Sequence, residues 1–522
     1  MIKEKNNILL VILISFSLYC AFTVGETWDQ KDNIIRGKIT LDYLFSLGRI
    51  DEHIFARENY STIYWSLIYF ITEIFPQHLE IHITNLINLF FSLCTIFGIK
   101  KLCKELFNNN VGKITFIILF FYPIFFGHTS FNTKDTILAF GHVWMTYLLL
   151  RYLKKQYILK KRNKYIFYLG LLAAMCSGIQ LVFLGSMIPF IIFLFAEIFI
   201  FKKIVNINFN IKKLIYDVIK CFLLFYLILV IFWIDTHPNI LILPYRFIIE
   251  TFSNNFWTGW QYNLLNGYYF LSNETPKTYF FTYLFFKSPE YFLISYLFFI
   301  IFYFASNRFF KKEFSYFNYK LILILAILLY PNLVLLIVPY PVYDGIRLFL
   351  WALPYFSILP GLAIYYLFKN FNYLSSKIYS MIIFMLAILF LYNFFIITPY
   401  QYAYSNIFAG ANKNKFNKFE NDYWGSSIRE LIYKSKFKDN EIIKISTCGI
   451  NHKIANKYFK RRGYLSIDFV HPEESKYMIM TNRTLLNKET GKISNCFNVY
   501  KGIDIFKVER NELILSVVRK IN

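Results

Sequence analysis

No two cysteines in this 522-residue chain are spaced like the ligands of a metal site or the partners of a redox pair. Cys20, Cys94, Cys176 and Cys221 fall in or beside apolar runs, where the thiol packs as a small hydrophobe, and Cys103 sits in a basic loop. Only Cys448 and Cys496, in a polar tail, remain as partners for each other. No metal-ligand motif is visible elsewhere, and no internal repeat of the kind that builds many transporters. Charge is scarce too, at 17% of residues, and windows of about 15–20 residues carry little or none. That excludes an ordinary soluble domain.

Apolar surface takes the place of charge. The chain is 57% hydrophobic and 21% aromatic, with mean hydropathy +0.42, whereas soluble domains sit near 45–50% apolar. Apolar runs at 7–24, 84–99, 114–127, 136–152, 165–178, 180–201, 215–234, 290–306, 321–338, 348–368 and 378–397 predict about eleven spanning helices. The first has Lys3 and Lys5 before it but only a weak cleavage site after it, and reads as a retained helix. The segment 62–75 is short and contains Glu73. Counting it as a span would reverse every later loop, so it is expected to lie in the outer interface as an amphipathic helix.

The net charge of +24 is that of a nucleic-acid binder, but its placement argues otherwise. "KKLCKELFNNNVGK", "RYLKKQYILKKRNK", "KKIVNINFNIKK", "NRFFKKEFSYFNYK" and "KNFNYLSSK" carry four, seven, four, four and two basic residues and occupy every second connection. Such alternation marks the cytoplasmic face, so the excess charge is topological and no nucleic-acid partner is expected. The first outer loop, 25–83, holds nine acids against five bases. The N-terminus is then cytoplasmic and the tail outside. Residues 1–397 form the membrane domain. Residues 398–522 are expected to form a small extracytoplasmic α/β domain, from alternating runs such as "EIIKIST" and "ELILSVV". The richness in Ile, Lys and Asn fits an AT-rich bacterial genome, hence an inner membrane with the tail in the periplasm, where Cys448 and Cys496 are able to pair.

Islands of polar residues all fall on the outer side: "GETWDQKDNIIRGK", "FFGHTSFNTKD", "NGYYFLSNETPKTYFF" and "PYPVYDGIRLFLW". Ionisable groups beside apolar segments are costly and point to function. Asp29, Glu26, Asp32, Asp135 or Asp344 would supply a general base, and His128, Lys134 or Arg347 would hold an anion. A carboxylate near fixed cations at a membrane surface suits transfer from a lipid-linked phosphate. Each island also has a plainer reading. Asp29 and Asp32 read as solvated loop acids, and His128 as a helix-end residue. Asp135 reads as a first-turn acid, and Asp344-Gly345 as a turn.

These same residues carry a resemblance. "FFGHTSFNTKD" (125–135), "NGYYFLSNETPKTYFFTYLFFKSPE" (266–290), "YDGIRLFLW" (343–351) and "PYQYAYSN…FENDYWGSS" (399–427) resemble, in order, a bacterial subgroup of the GT-C glycosyltransferase superfamily. The nearest branch is the protein mannosyltransferase-like glycosyltransferase family 39. The resemblance implies an enzyme that takes a sugar from a polyprenyl-phosphate donor on the outer membrane face. Its acceptor would be a glycan, a glycolipid or a protein. It places the base on Asp29, with Glu26 second. His128, Asn132, Lys134, Asp135, Tyr343, Asp344 and Arg347 would line the site, Lys134 or Arg347 would contact the donor phosphate, and "DYWG" would dock the tail over it. Two positions depart from the family pattern: Gln30 stands at its usual Glu and Leu348 at its usual His. No cofactor and no metal is expected beyond the donor substrate. The alternatives are a transporter or flippase of lipid-linked sugars, and an inactive relative that acts as a binding protein.

Overall fold

The computed structural model describes residues 2–49, 60–253, 259–338, 340–437, 442–488 and 490–521. Part of the outer loop expected at 25–83, residues 50–59, lies outside them.

Every expected apolar run is helical. Among the described residues, five helices are long and apolar enough to cross a membrane: Gln77–Leu106, Ile211–Ile231, Phe317–Ile337, Arg347–Lys369 and Leu374–Ile396. A bent pair, Tyr279–Lys287 with Glu290–Ala305, turns by 114° at Pro289 and makes a sixth. The remaining runs form Ile2–Thr23, Asn109–Phe120 with Pro123–His128, Asp135–Lys155, Leu159–Ile179 and Ile188–Ala196. Asp135–Lys155 and Leu159–Ile179 are 21 residues each but carry basic residues at one end, and the Asn109–Phe120 and Ile188–Ala196 helices are short. Pro123 interrupts one of them, since a proline has no amide to continue the ladder and sits best at a helix start.

The first outer loop is not irregular. It folds into Gln30–Phe45 and Ile63–Thr72. The second of these is too short to span, as expected, but it does not lie free in the interface. Tyr64, Trp65 and Ile68 are buried, and the helix packs on Gln30–Phe45, Glu80–Leu106 and Leu159–Ile179. Gly37 permits the closest approach: a Cβ there would meet the Trp65 carbonyl oxygen at 2.2 Å. A second outer segment is a hairpin, Tyr262–Leu265 against Tyr268–Leu271. Its turn, Asn266-Gly267, has both residues at positive φ, the geometry for which Asn-Gly is favoured.

The tail is an α/β unit, as its alternating runs imply. Its five-stranded sheet has the order Ile467–Phe469, Ile443–Cys448, Tyr477–Thr481, Leu513–Ile521, Gly502–Arg510. The first three strands are parallel and the last two antiparallel to their neighbours. Cys448 and Cys496 are disulfide-bonded. The sheet does not hang free of the membrane domain: Asn412–Asn417 packs on the strand Leu513–Ile521, and Gln401–Ala403 packs on the helix Pro123–His128.

Candidate active site

The polar run after Phe126 folds around Asn132. Its side-chain oxygen accepts from the amides of Lys134 (3.2 Å) and Asp135 (2.9 Å), a local turn that starts the helix Asp135–Lys155. Its amide nitrogen donates to the Asp135 carboxylate at 2.9 Å. Asp135 is thereby fixed with its oxygen 4.0 Å from the Arg347 guanidinium. His128, fully buried, meets the Tyr423 hydroxyl at 2.9 Å through Nε2. Its ring packs among Phe131, Tyr402, Tyr423 and Trp424.

Arg347 stands on this base. It sits between Asp344 (3.2 Å), Asp29 (3.9 Å) and Asp135, with its guanidinium over the rings of Tyr343 (4.8 Å) and Trp424 (4.7 Å). Asp344 has a left-handed backbone, φ 56°, followed by Gly345 at 68°. The "YDG" island is therefore both the tight turn and the charged residue that its two readings offered.

Asp29 begins the helix Gln30–Phe45 but makes no capping bond to it. Its side chain is 37% exposed and faces a polar cavity of about 290 Å³. Lys134, Tyr60 and Arg36 line one side of this cavity, and Tyr343, Arg347 and Trp424 another. The Lys134 ammonium lies 4.9 Å from the Tyr60 ring and 5.8 Å from Trp65. Burial would raise the Asp29 carboxyl, but Lys134, Arg347, Arg36 and Arg483 outweigh it and hold the group below the usual aspartate value. Burial works the other way on Lys134, and the neighbouring Tyr60, Asp29 and Tyr343 more than reverse it, so the ammonium titrates above the usual lysine value. An ionised carboxylate and an ionised ammonium thus share one cavity wall. Among the described residues no group of three His, Cys, Asp or Glu is placed to hold a metal ion.

The structure therefore brings Asp29, Lys134, Tyr343, Asp344 and Arg347 together around the cavity. His128, Asn132 and Asp135 are not part of its lining: Asp135 lies 4.0 Å from Arg347, Asn132 holds Asp135, and His128 meets Tyr423. Glu26 is not brought there. It is buried and paired with Lys457 of the tail at 2.5 Å, and its amide donates to the Tyr458 hydroxyl. Gln30, at the position of the family's usual Glu, is buried away from the cavity and donates to Asn85 at 2.6 Å. Leu348 lines a separate, mostly apolar cavity with Phe349 and Trp351.

Sequence reasoning missed half of the walls. Trp28 and Arg36 lay inside a quoted island but were not singled out. Tyr423 and Trp424 were read as a docking motif without a chemical role. Tyr423 of "DYWG" meets His128 of the membrane domain at 2.9 Å, and Asp422 closes the motif's own turn by accepting from the amides of Ser426 and Ser427 at 2.9 Å each. The motif's two aromatic residues also line the cavity. Arg483 arrives from the tail, 2.9 Å from Asp344, and no local signal marks it.

This arrangement is an α-helical membrane protein with a polar cavity roofed by its strand-containing tail, and that fold is shared with a solved structure. ArnT from Cupriavidus metallidurans, in its apo structure, is similar over 98% of this chain and 98% of its own, with TM-score 0.51 and 11% identity. The undecaprenyl-phosphate-bound structure of the same protein scores 0.46 at 12% identity. The Archaeoglobus fulgidus oligosaccharyltransferase AglB, in complex with an inhibitory peptide and a dolichol-phosphate, scores 0.46 at 11% identity and aligns over 91% of this chain and 69% of its own. No protein-family profile matches the chain, and no curated protein is similar to it in sequence.

Proposed function

We propose that the protein is a glycosyltransferase that moves a sugar from a polyprenyl-phosphate donor to an acceptor on the outer face of a bacterial inner membrane. The observation that carries this reading is the Asp29 carboxylate. It is ionised, 37% exposed and uncapped, and it lines a polar cavity together with Lys134, Arg36, Arg347 and Arg483. A structural acid at a helix start would cap the helix, whereas this one is left for a ligand.

In the reaction, an acceptor hydroxyl oxygen attacks the anomeric carbon while its proton passes to Asp29. The bond from that carbon to the phosphate oxygen breaks, and the electron pair leaves with the polyprenyl phosphate. Lys134 and Arg347 stabilise the charge that grows on the phosphate, Arg347 by its two-pronged fork. Displacement in one step inverts the anomeric centre. Asp135, itself oriented by Asn132, holds Arg347 in place. The leaving group is a single phosphate that these cations serve, so full activity in a chelator is expected. The N-terminus is cytoplasmic and the tail periplasmic, which impermeant thiol labelling of single-cysteine variants at either end would test.

The deciding test uses membranes containing wild type or Asp29→Asn at equal levels. Each is given labelled polyprenyl-phosphate hexoses and pentoses with an extract of cell glycolipids and proteins. Wild type should label a product, and Asp29→Asn should lose about 100-fold or more of the rate. Equal labelling by both would remove Asp29 from its role.

A further inference from the structure

The cavity holds more cation than a phosphate monoester needs. Lys134 and Arg347 suffice for the donor, yet Arg483 also lines the cavity, across Asp344 from Arg347. It comes from the soluble domain, on the side away from the spanning helices. Its side chain is 7% exposed. The guanidinium lies 4.3 Å from the ring of Trp260 and 5.7 Å from that of Trp28. Four buried nitrogens on cavity-lining side chains make no hydrogen bond among the described residues: Arg347 Nε, Arg483 Nε, Trp28 Nε1 and Trp424 Nε1. All four are donors; Arg347 Nε has Asp344 at 3.2 Å, and a ligand rich in lone pairs is what satisfies the other three.

A second cavity of about 500 Å³ adjoins this one and shares Trp28 and Asp32 with it. Its far wall is the tail helix His452–Arg461, which presents Lys453, Lys457 and Arg461 four residues apart, hence on one face. Lys457 is paired with Glu26, and Lys31 opposite is paired with Glu80 at 2.7 Å. Lys453 and Arg461 are exposed and make no ion pair among the described residues. The cleft therefore offers the unpaired charge of Lys453 and Arg461 on its far wall, passes Asp32 where the two cavities meet, and ends on two indole faces beside a guanidinium. Indole faces suit the C–H face of a sugar ring, and a guanidinium suits a carboxylate or phosphate.

We propose that Arg483, Trp28 and Trp260 form the acceptor subsite, that it takes a saccharide carrying an acidic group, and that this acceptor reaches Asp29 along the cleft beneath the helix His452–Arg461. The inference rests on the transferase reading and names its substrate class. Arg483 binds the acid, the tryptophans stack the ring, and the neighbouring hydroxyl is delivered to Asp29.

The test is binding to the purified full-length protein, read as quenching of tryptophan fluorescence. The probes are trigalacturonic acid and its neutral counterpart galactotriose, with galactose 6-phosphate as competitor. Wild type should bind the acidic probe at least about tenfold more tightly than the neutral one, and Arg483→Gln should erase that difference. Lys453→Gln and Arg461→Gln, on an exposed helix face, should each weaken acidic binding by about threefold and reduce its salt dependence. Competition by galactose 6-phosphate assigns the subsite to phosphate as well as carboxylate, and its absence restricts it to carboxylate. Equal binding of both trisaccharides, or acidic binding that neither helix variant weakens, overturns the inference even where Arg483→Gln fails to fold. Sugar transfer with a preference for neutral acceptors would sink the subsite and keep the transferase. Acidic binding without transfer from any polyprenyl-phosphate donor would do the reverse.

Discussion

Asn132 shows how one residue makes a charged site affordable at the edge of a membrane. A single amide side chain satisfies two backbone amides and orients one carboxylate. That carboxylate then faces Arg347, which faces Asp29. The charges are stacked so that each buried ion has an opposite neighbour, the condition under which buried charge is tolerated. Lys134 is different, because its near neighbours are aromatic faces and Asp29 rather than a dedicated partner. Its contribution to Asp29 yields a prediction. Asp29 accepts a proton only when ionised, so transfer rises with pH through its titration and is flat above. Because Asp29 is held below the ordinary value near 3.9, the wild-type rise should lie on the acid side of that value. Lys134→Met removes one of the cations that depress it and should move the rise toward neutral pH. Lost phosphate stabilisation should lower the rate on the plateau by about 100-fold. A rate–pH profile of the two proteins reads both effects, and an unshifted acid limb would show that Lys134 does not act on Asp29. By type alone the sequence offered Asp29, Glu26, Asp32, Asp135 and Asp344 as a set, and only the resemblance put Asp29 first and Glu26 second. Burial and partners now distinguish them: Glu26 is paired with Lys457 and Asp135 lies outside the cavity lining, whereas Asp29 lines the cavity 37% exposed.

At the scale of elements, the site depends on how closely the loop helix Gln30–Phe45 lies on Ile63–Thr72. Gly37 is the contact point, and its neighbour there is backbone, which cannot move aside. Gly37→Ala should push the loop helix outward, cost about 2 kcal/mol of thermal stability and displace Asp29 with it. Transfer should then fall although no charged group has changed. A variant with normal stability and activity would show that the helix pair tolerates separation. The helices themselves were legible, because an apolar run of spanning length has few other folds. The packing of Ile63–Thr72 was not. Its aromatic residues suit an interface as well as a buried seam, and the choice is made by Gly37, 26 positions earlier in the chain. Arg483 was hidden for the same reason. A residue in the connection between two tail strands looks like any other surface arginine until the tail is docked.

At the scale of the molecule, the tail is built into the site, so its docking should control activity. One clamp is exposed enough to titrate. Glu430 takes both Arg510 nitrogens (2.6 and 3.0 Å), Lys434 (2.6 Å) and the Tyr400 hydroxyl (2.9 Å). Arg510 also donates to the carbonyl of Thr398 at 3.1 Å. The sheet, the helix Ile428–Lys434 and the end of the last spanning helix are thereby joined at one carboxylate. Burial raises its pKa, but the bonds to Arg510, Lys434 and Tyr400 prevail and hold it at about 2, below the ordinary glutamate value of 4.5. A depressed folded-state pKa stabilises the clamp above the unfolded value, and that stabilisation is lost as pH falls from there through the folded one. The window is therefore pH 4.5 down to about 2. The group is partly exposed, so solvent screening leaves roughly 1 kcal/mol at stake. Hydrogen exchange of the amides in Gln401–Ala403 and Ile428–Lys434 should quicken on acidification within that window. In Glu430→Gln it should already be quick at neutral pH and insensitive to acid. If the variant kept wild-type protection at pH 7, the tail would be held by the Tyr423–His128 and Arg483–Asp344 contacts instead. Those contacts would then be the ones that keep the roof over Asp29.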